Sequence, residues 1–174
     1  MDATSSAEDR LTGAPARLQA LLARLDIDAP SVSHPPVHTV EDALPYWAML
    51  EGAHTKNLFL KDAKGALFLV TLPMERKVDM KALAPMIGAK RLSFGSADLM
   101  ETCLGTRPGA LGPLSLVADP DHAVHFAIDA ALLAAGRVTC HPMDNTATLS
   151  LSVEELKHVL AAIGVEPLVV TFPD

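Results

Sequence analysis

Apolar and polar positions alternate with two different periods along this chain, and the switches between them mark its elements. In "PARLQALLARLDI", Leu18, Leu21, Leu22 and Leu25 recur at helical spacing with Arg17 and Arg24 on other faces, which predicts a helix. "SVSHPPVHTV" carries Pro35 and Pro36 and suits an edge strand or extended loop. Thr39 is placed to N-cap a helix over "VEDALPYWAML", with Asp42 making an approximate capping box, and Pro45 keeps that helix short or kinked. Two strands, about 57–61 and 66–72, flank "DAKG", whose Asp62 and Gly65 are turn formers, so a β-hairpin is expected. "LFLVTL" is apolar on both faces and predicts a central strand covered on both sides. Asp79 caps "MKALAPMIG", with Pro85 near its end; "RLSF" reads as a short strand; Ser96 opens the helix "ADLMETCL", which Gly105 can close. "LGPLSLVAD", "AVHFAID" and "ATLSLS" are strand candidates. The last helix has the clearest start, Ser152 and Glu155 forming S-x-x-E ahead of Leu156, Val159, Leu160 and Ile163. Gly164 ends it and "PLVVTF" follows.

Strands and helices intermingle without a regular βαβ period or an internal repeat. The expected class is α/β (mixed α+β): a single domain with a mixed, curved or barrel-like sheet flanked by helices. Residues 1–14 read as a flexible lead-in and 15–174 as the domain. Composition sharpens the core: 49% of residues are hydrophobic but only 4% aromatic, so the packing is aliphatic. No run approaches the ~18 apolar residues of a membrane span. The N-terminus lacks a basic segment followed by an apolar one, and the two cysteines, Cys103 and Cys140, make no disulfide framework. A cytoplasmic setting is therefore expected, with both thiols acting as small buried hydrophobes.

The net charge of −7 argues against a general nucleic-acid coat. Its distribution is uneven. Residues 56–107 hold nine Lys/Arg against five Asp/Glu, while the rest of the chain is strongly acidic. That segment reads either as solvated surface or as a basic face that meets phosphates.

Three pieces have chemical potential. Lys56 lies on the same side of its strand as Leu58 and Leu60, so its charge either snorkels to water or serves a cleft. The loop "GTRPGALGP" has a structural reading, with Gly105 ending a helix and Gly112–Pro113 turning into the next element. It also has a functional one, in which the backbone approaches a ligand and its N–H groups hold an oxygen. It is neither a Walker loop nor a dinucleotide fingerprint. "TCHPMDNTATLSL" places His141 and Asn145 in a loop before a strand. Cys140 and His141 are neighbours and make a poor nucleophile–base pair, His122 and His125 lie in a segment that looks like a strand, where they would face opposite ways, and no G-x-S-x-G elbow is present. No metal or cofactor is implied.

Taken in order, "HPPVHTVEDA", "HTKNLFLKD", "GTRPGALGPLSL", Asp129 and "CHPMDNTATLSLS" resemble the YbaK/prolyl-tRNA-synthetase insertion-domain family of trans-editing aminoacyl-tRNA deacylases, over roughly residues 15–172. The runs "TKNLFLKD" and "HPMDNTATLSLS" are most similar to the free-standing ProXp-ala (PrdX) branch, which removes alanine from mischarged tRNA-Pro. The resemblance implies that Lys56 positions the aminoacylated 3′ end, with Asn57 beside it in the cleft. Gly109 through Pro113 corresponds to the GxxxP loop that engages the ester and its attacking water, and His141 to a histidine of the pocket. Asp129 and Asn145 match recurrent positions. It also implies assistance from the terminal ribose hydroxyl and a pocket that admits alanine and excludes proline. Catalytic Lys56, Gly109 and His141, and substrate-binding Asn57, Gly105, Gly112, Pro113, Asn145 and Asp129, are thus expected. The partners would be aminoacylated tRNA-Pro and, transiently, prolyl-tRNA synthetase, with the protein monomeric. The alternatives are a deacylase for serine or cysteine, or a module that binds tRNA or a synthetase without hydrolysis.

Overall fold

The computed structural model describes residues 15–36 and 40–172. The lead-in and the Thr39 cap lie outside them. In chain order the elements are α1 (Ala16–Arg24), β1 (Ser31–Ser33), α2 (Val40–Trp47), β2 (Thr55–Lys61), β3 (Leu67–Pro73), α3 (Met80–Met86), β4 (Ser93–Phe94) and α4 (Ala97–Leu104). Two 3₁₀ turns, Pro108–Ala110 and Pro113–Ala118, lead to β5 (Val124–Asp129), α5 (Ala130–Leu133), β6 (Arg137–Cys140), β7 (Ala147–Ser152), α6 (Val153–Ala162) and β8 (Leu168–Val170).

The strands make two sheets in one mixed α/β domain. The larger runs β4-β2-β3-β5-β8, antiparallel through β4, β2 and β3 and parallel through β3, β5 and β8. The smaller is β1-β7-β6, all antiparallel. Neither closes into a barrel among the described residues. A bridge from Ala53 to Val138 and a hydrogen bond from Thr55 Oγ1 to the Thr139 carbonyl (2.8 Å) tie the sheets together at the start of β2.

β3 is covered on both faces, as its apolar run predicts. Val70 and Leu72 pack with Leu60, Leu83 and Ile87 under α3, while Leu69 packs with Phe59, Leu104, Leu114, Phe126 and Leu156 on the other side. Leu69, Val70 and Leu72 are fully buried, each worth about 1.5–3 kcal/mol of transfer free energy. The hairpin turn is held by Asp62, whose carboxylate accepts from the N–H groups of Lys64, Ala66 and Lys90. Burial opposes ionisation of that carboxyl, but these donors win and lower its pKa. Ser96 and Ser152 cap α4 and α6 as expected, the latter in a reciprocal pair with Glu155.

One expected strand is not a strand. "LGPLSLVAD" folds as a 3₁₀ turn because Pro113 suits a first helical position and the Ser115 hydroxyl accepts the Gly112 N–H at 3.2 Å. Its apolar alternation is satisfied all the same, since Leu114 and Leu116 are both buried. The short strand β6 and the single-turn helix α5 were not foreseen.

Candidate active site

β2 carries its chemistry on successive residues, and strand alternation sends them to opposite faces. Asn57 points with Phe59 toward the core that holds the glycine loop; Lys56 points with Leu58 and Leu60 toward the α3 side. The two expected site residues are adjacent in sequence but not in direction.

The Asn57 face is a network of neutral groups. Its amide Nδ2 donates to the Leu111 carbonyl at 3.1 Å, and its Oδ1 accepts from Thr71 Oγ1 at 2.6 Å. Thr71 stands directly opposite Asn57 in the hairpin register and is buried, so it holds the amide orientation. Asn57 is thereby the link between β2 and the glycine loop. That loop divides in two. Gly112 and Pro113 are buried, and a Cβ on Gly112 would lie 3.8 Å from the His141 carbonyl and 3.9 Å from Asn57 Nδ2, which is ordinary contact. The Gly112 N–H is already engaged by Ser115. Gly109 is exposed, and a Cβ there would come within 2.9 Å of Asn145 Nδ2, so glycine is what lets the Asn145 amide approach. Gly105 closes α4 in the left-handed conformation (φ 62°) with its N–H on the Glu101 carbonyl, the structural duty anticipated for it.

His141 follows β6, and its Nδ1 donates to the Ala147 carbonyl at 2.9 Å, which leaves Nε2 as an acceptor in the neutral ring. Burial is the main cause lowering its pKa; His34 acts in the same direction, against the Ala147 carbonyl and Asp144. His34 is buried, bonds Thr148 Oγ1 through Nε2 at 2.9 Å, and lies edge-on to His141 with ring centroids 6.4 Å apart. Tyr46 of α2 packs on His34, and the neighbouring Trp47 stacks on His54 at 4.8 Å. The His54 pKa is also lowered, by burial acting against Glu75. Cys140 is buried with its thiol pushed up to about 12, which removes it as a nucleophile.

The Lys56 face is charged. The ammonium donates to the Arg76 carbonyl in the loop after β3. The Arg76 guanidinium forms an ion pair with Asp129 and lies 4.8 Å over the Phe172 ring. Asp129 is buried and caps α5 through the Ala131 N–H at 2.9 Å. These contacts give Asp129 a structural duty that accounts for its presence without a ligand.

A cleft of about 520 Å³ opens beside the glycine loop, bounded by Gly105, Thr106, Gly109, Met143 and Asn145, with Arg107 at its rim. Lys56, Asn57, Gly112, Pro113, Asp129 and His141 do not line it. Thr71, Arg76 and His34 were not singled out from the sequence. Thr71 had a visible signal, a polar residue inside an otherwise apolar strand; Arg76 and His34 act through contacts that only the fold brings together.

The start of β2, where the two sheets meet, is bonded to the glycine loop through Asn57, and His141 is pinned to the Ala147 carbonyl of β7. The chain belongs to the aminoacyl-tRNA editing domain family, whose model matches residues 34–159. It is 38% identical over 162 residues to the mouse "Prolyl-tRNA synthetase associated domain-containing protein 1", covering 90% of this chain and 95% of that one. It is 36% identical over 150 residues to "Prolyl-tRNA editing protein ProX" of Acetoanaerobium sticklandii, covering 84% and 92%. A crystal structure described as that of a candidate trans-editing enzyme for prolyl tRNA synthetase has the same fold, with a TM-score of 0.66 at 19% identity, covering 90% of this chain and 96% of that one. Among the described residues, no helix is long and apolar enough to cross a membrane.

Proposed function

We propose that this protein is a trans-editing hydrolase that clears alanine from mischarged tRNA-Pro. The observation that carries this reading is the match to the editing-domain family across the segments that hold Lys56, the glycine loop and His141. The likeness to a prolyl-tRNA editing protein supports the choice of tRNA, and the sequence resemblance to the alanine-specific branch supports the amino acid. In the reaction, a water oxygen bonds to the ester carbonyl carbon, the bond from that carbon to the ribose oxygen breaks, and a proton from the water ends on the ribose oxygen. Free alanine and intact tRNA leave.

Such hydrolysis needs a held water, donors for the developing oxyanion and a fixed 3′ end. The exposed Gly109 segment is the part of the loop with room for the ester; Gly112, buried and engaged by Ser115, serves to shape it. His141, neutral and pinned through Nδ1, offers Nε2 as an acceptor for the water. Lys56 is the cation that holds the terminal ribose and phosphate, leaving the Arg76 carbonyl when substrate arrives. Alanine is admitted and proline excluded by size. Deacylation of Ala-, Ser-, Cys- and Pro-tRNA-Pro tests the reading. Turnover of the alanyl ester with sparing of Pro-tRNA-Pro is expected, and turnover of Pro-tRNA-Pro contradicts it. Faster clearance of Ser- or Cys-tRNA-Pro would assign a different small substrate, and no turnover at all would leave a binding module.

A further inference from the structure

The loop after β3 does more than lead into α3. Lys56, Leu72 and Asp129 stand side by side in one row across β2, β3 and β5. Lys56 is the register partner of Leu72, and the pairing of Thr71 with Ile128 brings Asp129 next to Leu72. Val170 of β8 continues the row opposite Asp129. Strands lie ~4.8 Å apart, so the Cα atoms of Lys56 and Asp129 are about 10 Å from each other. A lysine side chain spans most of that gap. Leu72, fully buried, is the apolar ground between the two charges, and buried Val170 closes the row on the far side of Asp129. In such surroundings an ammonium and a carboxylate attract each other with little screening.

The pair nevertheless does not form, because one residue occupies both partners. Arg76 takes the Asp129 carboxylate with its guanidinium and the Lys56 ammonium with its backbone carbonyl. Arg76 is itself held in place by the Phe172 ring beneath its guanidinium and by its N–H on the Pro73 carbonyl at 3.1 Å. Asp129 is 1% exposed and fixed by its cap on α5, so it cannot turn to water if Arg76 is removed.

We propose that Arg76 is a positioning residue for Lys56: by satisfying the buried Asp129 carboxylate, it keeps the lysine ammonium from being drawn inward along the sheet and leaves it held only by a neutral backbone carbonyl that substrate can displace. The inference rests on Lys56 as the residue that holds the aminoacylated 3′ end. It makes a specific demand, that the harm done by losing Arg76 comes from the charge it leaves behind on Asp129.

The test is a set of four variants: Arg76→Gln, Asp129→Asn, the double variant and Arg76→Lys. Gln keeps the stem of the side chain and Asn keeps the helix cap. Each is measured for kcat/KM on Ala-tRNA-Pro and for the ¹⁵Nζ resonance of Lys56, assigned by its absence in Lys56→Ala, with melting curves confirming that each is folded. Arg76→Gln should move the Lys56 resonance and lower kcat/KM by about tenfold to a hundredfold, the range for a displaced positioning group. Adding Asp129→Asn should return both readouts toward the wild type, and Arg76→Lys should preserve them in large part. The proposal is overturned if the double variant is as impaired as Arg76→Gln, or if the resonance stays put in every variant. The spectroscopic arm needs no turnover. A resonance that moves and returns while no variant or wild type deacylates would keep the positioning role and discard the deacylase reading.

Discussion

The two faces of the large sheet, read at residues 56 and 57, solve opposite problems. On the Asn57 face the hydrogen bonds join neutral groups: an amide, a threonine hydroxyl, a loop carbonyl and a histidine pinned by a backbone oxygen. On the Lys56 face the contacts are ionic: an ammonium, a guanidinium and a buried carboxylate joined through one loop residue. Neutral hydrogen bonds set geometry at little risk, because each group is satisfied by one partner of matching direction. A buried charge is different, since removing its partner leaves a penalty that no local shift relieves. The neutral face is therefore suited to shaping the loop, and the ionic face to holding a cation in reserve.

The sharpest way to break the contrast is to remove a charge. Arg76→Ala strands Asp129 and should cost about 3–5 kcal/mol in urea denaturation, with most of it recovered when Asp129→Asn is added. On the neutral face, Asn57→Ala leaves the Leu111 carbonyl and Thr71 hydroxyl short of a partner and should cost about 2 kcal/mol. If it costs more than Arg76→Ala, the comparison fails. Glycine substitutions resolve the loop more finely. Gly109→Ala must displace the Asn145 amide and should cost about 1 kcal/mol, whereas Gly112→Ala meets only ordinary contacts and should stay within about 0.5 kcal/mol. Deacylation should follow the same order.

The last effect is one of pH, and it is graded rather than all-or-none. His141 and His54 both have pKa values below the usual 6.5, with burial the main cause. Between the folded and unfolded values the unfolded chain binds more protons. Stability from these rings is thus complete above about pH 6.5 and is lost as pH falls toward the folded values, at up to about 1.4 kcal/mol per unit for each ring. Denaturation midpoints from pH 7.5 to 5 should show this slope, and His141→Asn should remove one ring's share.

Much of this was legible beforehand where local rules act alone. The hairpin around Asp62 and Gly65, the Ser96 and Ser152 caps, the Gly105 stop and the doubly covered β3 all follow from turn chemistry, capping and period. The misread segment, 111–119, has strand-like alternation that Pro113 and the Ser115 hydroxyl turn into a 3₁₀ helix. β6 escaped notice because four residues carry too little pattern. For the candidate site, resemblance supplied a set of residues to look at but not their arrangement. Alternation already implied that Lys56 and Asn57 part company, yet the partners waiting on each face include the loop residues Arg76 and Leu111 and, from the distant strand β5, Asp129, which only the folded chain brings together.

Lys56 remains the residue on which the functional account turns. Its ammonium makes a hydrogen bond worth about 1 kcal/mol to the fold, whereas the proposed role makes it indispensable to the reaction. Single-turnover deacylation of Ala-tRNA-Pro by wild type and Lys56→Ala, with melting curves on both, separates the two. The account predicts a loss of at least about a hundredfold in rate with the fold retained; a folded Lys56→Ala protein that clears Ala-tRNA-Pro at the wild-type rate would contradict it.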